Sequence, residues 1–160
     1  MEEKIIQFQV EKTRYHFPDK KHYIDIDAGD INLPTRLVES RKQIIEYSEK
    51  LSKQYNIEGV NDISKVSTGD IEKDISVLRE VDDFIKEKIN YILDDENGAR
   101  NVFGNASCIS VTNNGEYYFE NFLNALVDVV NAEYDTRIDK VKMRIKTYTD
   151  RKGMHPAYKR

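Results

Sequence analysis

The sequence predicts a mainly α-helical protein with a small N-terminal β-hairpin, an α+β chain carried by about three long amphipathic helices. Three observations support this. Prolines stand only at positions 18, 34 and 156, so residues 35–155 contain no obligatory helix breaker. Inside that stretch Gly59, Gly69, Gly98, Gly104, Gly115 and Gly153 punctuate the chain and cut it into a few long pieces. Apolar residues in these pieces recur at three- and four-residue spacing, whereas those before Pro34 alternate.

The N-terminal piece, 1–30, reads as two strands. Ile6, Phe8 and Val10 alternate with Gln7 and Gln9, Tyr23-Ile24-Asp25-Ile26-Asp27 alternates again, and Pro18-Asp19-Lys20-Lys21 between them is turn material. A hairpin alone is marginal in water, so this one must pack on the helices or pair with another subunit's edge.

Asn32 is expected to cap a helix over 32–56, with Pro34 in the first turn, where no backbone donor is needed. Its stripe is Leu33, Leu37, Ile44, Leu51 and Tyr55. Ser67 or Thr68 is expected to cap a second helix over 68–95, bearing Ile71, Ile75, Leu78, Val81, Ile85, Ile89 and Ile92, and Asp94 to Gly98 ends it. Val102-Phe103-Gly104 and Cys108-Ile109-Ser110-Val111 read as an irregular segment with buried anchors.

Asn113 and Glu116 form an Asn version of a capping box for a third long helix over 114–150. Its stripe runs Phe119, Leu123, Leu126, Val130, Tyr134, Ile138, Val141, Ile145 and Tyr148. Residues 138–149 carry a rival reading, because Val141, Met143 and Ile145 also alternate with Lys140, Lys142, Arg144 and Lys146 at the strand period; helix is preferred. Gly153 and Pro156 are expected to stop the helix, leaving 151–160 as a basic flexible tail on a single domain spanning 1–150.

Composition narrows the function. Seventeen isoleucines, 12 valines, 7 leucines and 6 phenylalanines in 160 residues are enough for one core. No run approaches the ~20 apolar residues of a membrane span, and Met1-Glu2-Glu3-Lys4 leads into no signal-peptide segment, so a soluble protein that is not exported is expected. With Cys108 the only cysteine, and His16, His22 and His155 the only histidines, neither a disulfide within the chain nor a cysteine-rich zinc site can form.

The net charge of -4 is uneven: residues 137–160 hold nine Lys or Arg against Asp139 and Asp150, a local +7 that leaves -11 on the rest. A basic end can hold phosphate, as on nucleic acid. Here, however, Lys140, Lys142, Arg144 and Lys146 spread around a helix, where cations near the C-terminus suit the dipole, so nucleic acid is not the expected partner. An acidic body with a basic end suits self-association or an ordinary protein partner equally well.

No catalytic constellation, cofactor loop or metal motif emerges. Asp25-Ile26-Asp27-Ala28-Gly29-Asp30 resembles a calcium loop only superficially: counted from Asp25, glycine falls at position five and Arg36 at twelve, where glycine at six and a glutamate at twelve are needed. Cys108 has no charged neighbour in sequence to lower its pKa and reads as core filler. Glu72, Asp74, Glu80 and Asp83 read as solvated helix surface. The aromatic cluster Tyr117, Tyr118, Phe119 and Phe122 stands out. Its two tyrosines, lying partly off the core stripe, are the candidate protein-interaction residues, together with Arg144 and Lys146 near the helix end.

Three stretches carry a family resemblance: YIDIDAGDINLPTRLV at 23–38, where a strand runs through Gly-Asp into a Pro-started helix; KEKINYIL at 86–93 with Asn101-Val102-Phe103-Gly104; and GEYYFENFLNALVDVV at 115–130. In this layout the chain resembles the small tail-assembly chaperone proteins encoded in the tail modules of phages and prophages of Gram-positive bacteria. The resemblance implies a non-enzymatic, mostly helical protein of the host cytoplasm that coats the hydrophobic tape measure protein before the tail tube polymerises, then departs. Some relatives are also made as a longer frameshifted product. Two other classes are open: a minor tail or connector subunit retained in the virion, and a small nucleic-acid-binding or host-takeover protein acting through residues 137–160.

Overall fold

A computed structural model describes residues 1–9, 11–55 and 71–154. The elements run β1 Thr13–His16, β2 Tyr23–Ile26, α1 Asn32–Tyr55, α2 Ile71–Leu93, α3 Gly98–Phe103 and α4 Tyr118–Met154. This is the mainly helical chain with an antiparallel two-stranded hairpin that the spacing predicts.

The hairpin's first strand lies seven residues after its expected start at Ile6. Tyr23 pairs with His16 and Ile26 with Thr13, because the turn closes tightly: Phe17 N–H donates to His22 O at 3.0 Å, and the Asp19 carboxylate accepts the Lys21 and His22 amides at 2.9 and 3.0 Å. A turn at 18–21 therefore fixes the partner of 23–26 at 13–16. The alternating Ile6 and Phe8 belong to no strand and are 85% and 80% exposed; Val10 lies outside the described residues. Ile24 and Ile26 turn to the core, while Arg14 on β1 forks onto Asp25 at 2.8 and 2.9 Å and lies 3.8 Å over the Tyr23 ring.

The start of α1 is held by Asp30 rather than Asn32. The Asp30 carboxylate accepts the Asn32 N–H at 3.0 Å and its carbonyl the Leu33 N–H at 3.2 Å. Leu33, Leu37 and Ile44 pack on Val81, Ile85, Ile89 and Ile92 of α2, and the rings of Tyr47 and Phe84 stack at 4.0 Å. Ile89 and Ile92 are wholly buried, each worth roughly 1.5–3 kcal/mol of transfer free energy. Arg36 Nε donates to Ile92 O at 3.0 Å, satisfying one of the carbonyls that the end of α2 leaves open. The expected caps Ser67 and Thr68 lie outside the described residues.

After Asp94, which turns in the left-handed region (φ 51°), the segment expected to be irregular contains the short helix α3. Its start is tied by a side chain from the previous helix, Asn90 Oδ1 accepting the Ala99 N–H at 2.7 Å. Residues 111–117 then form a tight loop around Gly115 (φ 84°), closed by a bridge between Val111 and Tyr117. Asn113 lies inside this loop, so the expected capping box does not form. α4 begins at Tyr118, with Glu120 Oε2 accepting the Tyr117 N–H at 3.1 Å.

Phe119, Leu123, Leu126 and Val130 complete the core, and Phe122 meets Phe17 and Phe103 at centroid distances of 6.4 and 6.0 Å. Residues 138–149 are helical, so the strand alternative falls: the stripe at three- and four-residue spacing governs. The helix also passes Gly153 to reach Met154, and residues 155–160 of the expected tail lie outside the described residues.

Candidate protein-binding site

The acidic and thiol groups singled out in the sequence take structural roles. Asp25 holds Arg14, Asp27 holds Arg137 at 3.1 Å, and Asp30 caps α1 with Arg36 at 3.8 Å. The Arg14 guanidinium keeps the Asp25 carboxyl below its usual range. Among the described residues no three His, Cys, Asp or Glu side chains group as metal ligands would.

Cys108 is wholly buried beneath α2 against Asp82. Asp82 Oδ1 accepts the Cys108 N–H at 2.7 Å and the Ser107 hydroxyl at 2.9 Å, the Cys108 Sγ lies 3.0 Å away, and Lys86 Nζ stands 2.8 Å from Oδ2. Burial, then the adjacent carboxylate, pushes the Cys108 thiol far up, which keeps it protonated and un-nucleophilic. Burial alone would raise Asp82 as well, but the hydrogen bonds from Lys86, Cys108 and Ser107 together hold it below the ordinary carboxyl value. This cluster fastens the 107–111 segment to α2.

The four candidate interaction residues fall in two places. Tyr117 is half-buried, stacked on Phe119 at 5.6 Å, and lines a groove of about 400 Å³ with Ile75, Leu78, Ile109 and Val111. Tyr118 is exposed, its N–H donating to Ser110 O at 2.9 Å. Arg144 and Lys146 are exposed on the far part of α4. Arg144 is 26 residues along the helix from Tyr118, about 39 Å, and it points roughly 200° away from Lys146, so the four form no single surface.

A second groove, about 470 Å³, lies between α1 and the start of α4. Arg41, Ile44, Ile45 and Ser48 of α1 form one wall and Phe119, Leu123 and Asn124 of α4 the other, with Glu116 and Glu120 at the rim. Ile31, in the turn just before α1, and Val38 and Ile45 on the helix form an exposed apolar row, at 70%, 68% and 55% exposure, and the row ends in this groove. The core stripe of α1 did not include these residues. Their seven-residue spacing is the signal that marks a second apolar face.

Compared with protein-family models, with curated proteins and with solved structures, the chain matches none. Among the described residues no helix is long and apolar enough to cross a membrane.

Proposed function

We propose that this chain is a non-enzymatic phage tail-assembly chaperone that binds the tape measure protein in the host cytoplasm during tail morphogenesis. The observation that supports this reading is the exposed row Ile31, Val38 and Ile45, running into the groove between α1 and the start of α4. An amphipathic client helix laid along this row covers its own apolar stripe while it buries these three side chains, the helix-in-groove mode of recognition. The groove at Tyr117, beside the start of α4, offers a second apolar seat.

The test is co-expression with the tape measure protein of the same tail module, followed by mass spectrometry of lysate and purified particles. A client that becomes soluble and co-purifies, with this chain in lysate but not in particles, supports the chaperone. Stoichiometric presence in particles overturns it in favour of a minor tail or connector subunit. One observation favours that second reading: among the described residues the hairpin is two-stranded and β1 pairs with β2 alone, which offers an edge to a neighbour's strand.

A further inference from the structure

The apolar stripe of α4 outruns the body of the protein. Phe119, Leu123, Leu126 and Val130 are buried, but the stripe continues through Tyr134, Ile138, Val141, Ile145 and Tyr148, where Val141, Ile145 and Tyr148 are 55%, 61% and 67% exposed. Its spacing there alternates four and three residues. This is the a/d seam of a coiled coil, with Ile138 and Ile145 at a, Tyr134, Val141 and Tyr148 at d, and Asn131 at the preceding a position. A free helix with two heptads is marginal in water, but α4 is nucleated by its packed first half, so the seam is preformed before any partner arrives.

We propose that this seam pairs antiparallel with the same seam of a second copy of the chain, Ile138 of each copy facing Val141 of the other. The flanking charges select both the occupant and the register. The e positions carry Asp135 and Lys142, both exposed and neither in an ion pair among the described residues. In this register Tyr134 faces Ile145 of the second copy, Asn131 faces Tyr148, and Asp135 of each copy lies beside Lys142 of the other, giving two opposite-charge contacts by symmetry.

A slide of one heptad in one direction sets Lys142 against Lys142, and in the other Asp135 against Asp135. Parallel pairing brings Arg137 beside Lys142 of the second copy. The chosen register does bring Arg137 toward Arg144 of the second copy, but Arg137 is drawn back onto Asp27 at 3.1 Å and Glu133 at 3.8 Å, which offsets its charge. The overlap of residues 131–148 is about 27 Å long.

The test is sedimentation velocity of the purified full chain between about 1 and 100 µM, with helix content followed by circular dichroism. A dimer is expected, with Lys142→Glu weakening it about tenfold, since two attractions become two repulsions. Asp135→Lys combined with Lys142→Glu restores it. A chain that stays monomeric at about 100 µM overturns the proposal. So does a Lys142→Glu variant that dimerises equally or more tightly, as parallel pairing requires, or a double variant that keeps its helix content without recovering the dimer. The assay contains no client, so its result is independent of tape-measure binding.

Discussion

Arg137 Nη1 donates to Asp27 Oδ1 at 3.1 Å across 110 residues of sequence, fastening the loop before α1 to the middle of α4. The stem of the same side chain lies over Gly29: a β-carbon there collides with Arg137 Cδ and comes within 2.8 Å of Nε. The backbone of Gly29 is not in the left-handed region, so what a side chain there meets is the arginine above it and not a strained conformation.

A double-mutant cycle follows from this. Gly29→Ala alone is expected to cost about 0.5–1 kcal/mol, because the flexible Arg137 stem swings aside and gives up its pair with Asp27, and Arg137→Ala alone costs about the same for a partly exposed pair. With Arg137 removed, Gly29→Ala becomes neutral or slightly stabilising, because alanine restricts the unfolded chain. Urea unfolding of the four proteins measures the coupling, and simple additivity contradicts the packing argument.

Asp82 sets an acid limit on stability. Its folded-state pKa lies below the ordinary value of 3.8, so its contribution is present above 3.8 and is lost as the pH falls from there through the lower folded-state value. Asp19 is likewise lowered, to about 2, first by the His22 side chain and then by the His22 and Lys21 amides. Asp82→Asn retains an acceptor for the Cys108 N–H but loses the Lys86 ion pair, and it is expected to flatten the fall in melting temperature below about pH 4. Asp82→Ala leaves that buried amide unpaired and costs about 2 kcal/mol at neutral pH.

Cys108 provides a direct reading of opening. Wholly buried, and with its thiolate disfavoured first by burial and then by Asp82, it is expected to react with an aromatic disulfide reagent only through unfolding. Labelling should track denaturant-induced unfolding and accelerate sharply in Asp82→Ala. Rapid labelling of the native protein at neutral pH contradicts the burial.

The long helices were legible because their signal is local. Leu33, Leu37 and Ile44, the α2 isoleucines and the α4 stripe each repeat often enough that one period governs. The misplaced elements are set by polar contacts that the spacing of apolar residues does not report. Ile6 and Phe8 alternate as a strand does, but strand pairing is decided at the turn, where Asp19 gathers the Lys21 and His22 amides. α3 is anchored by Asn90, a residue of α2 that no local capping rule assigns to it. In the candidate site the aromatic cluster was visible, but its division was not: Tyr117 closes a bridge to Val111 while Tyr118 faces solvent. The row Ile31, Val38 and Ile45 was overshadowed by the stronger core stripe beside it.

That row gives the sharpest test of where a client helix docks. Val38 and Ile45 are more than half exposed, so Val38→Glu with Ile45→Glu is expected to leave the melting temperature within a few degrees of the parent, surface changes usually staying within about ±0.5 kcal/mol. Client capture should nevertheless fall by about tenfold or more, because a helix seated there meets two carboxylates where it needs apolar contact. Tyr118 precedes Phe119 in the chain but does not line the groove, so Tyr118→Ala is expected to weaken capture less. Arg144→Ala with Lys146→Ala, about 39 Å along α4, leaves capture unchanged. Pull-down of a tape-measure fragment with each variant at matched concentration ranks them. Full capture by the Val38 and Ile45 variant, with loss in the Arg144 and Lys146 variant, moves the docking face from α1 to the far end of α4.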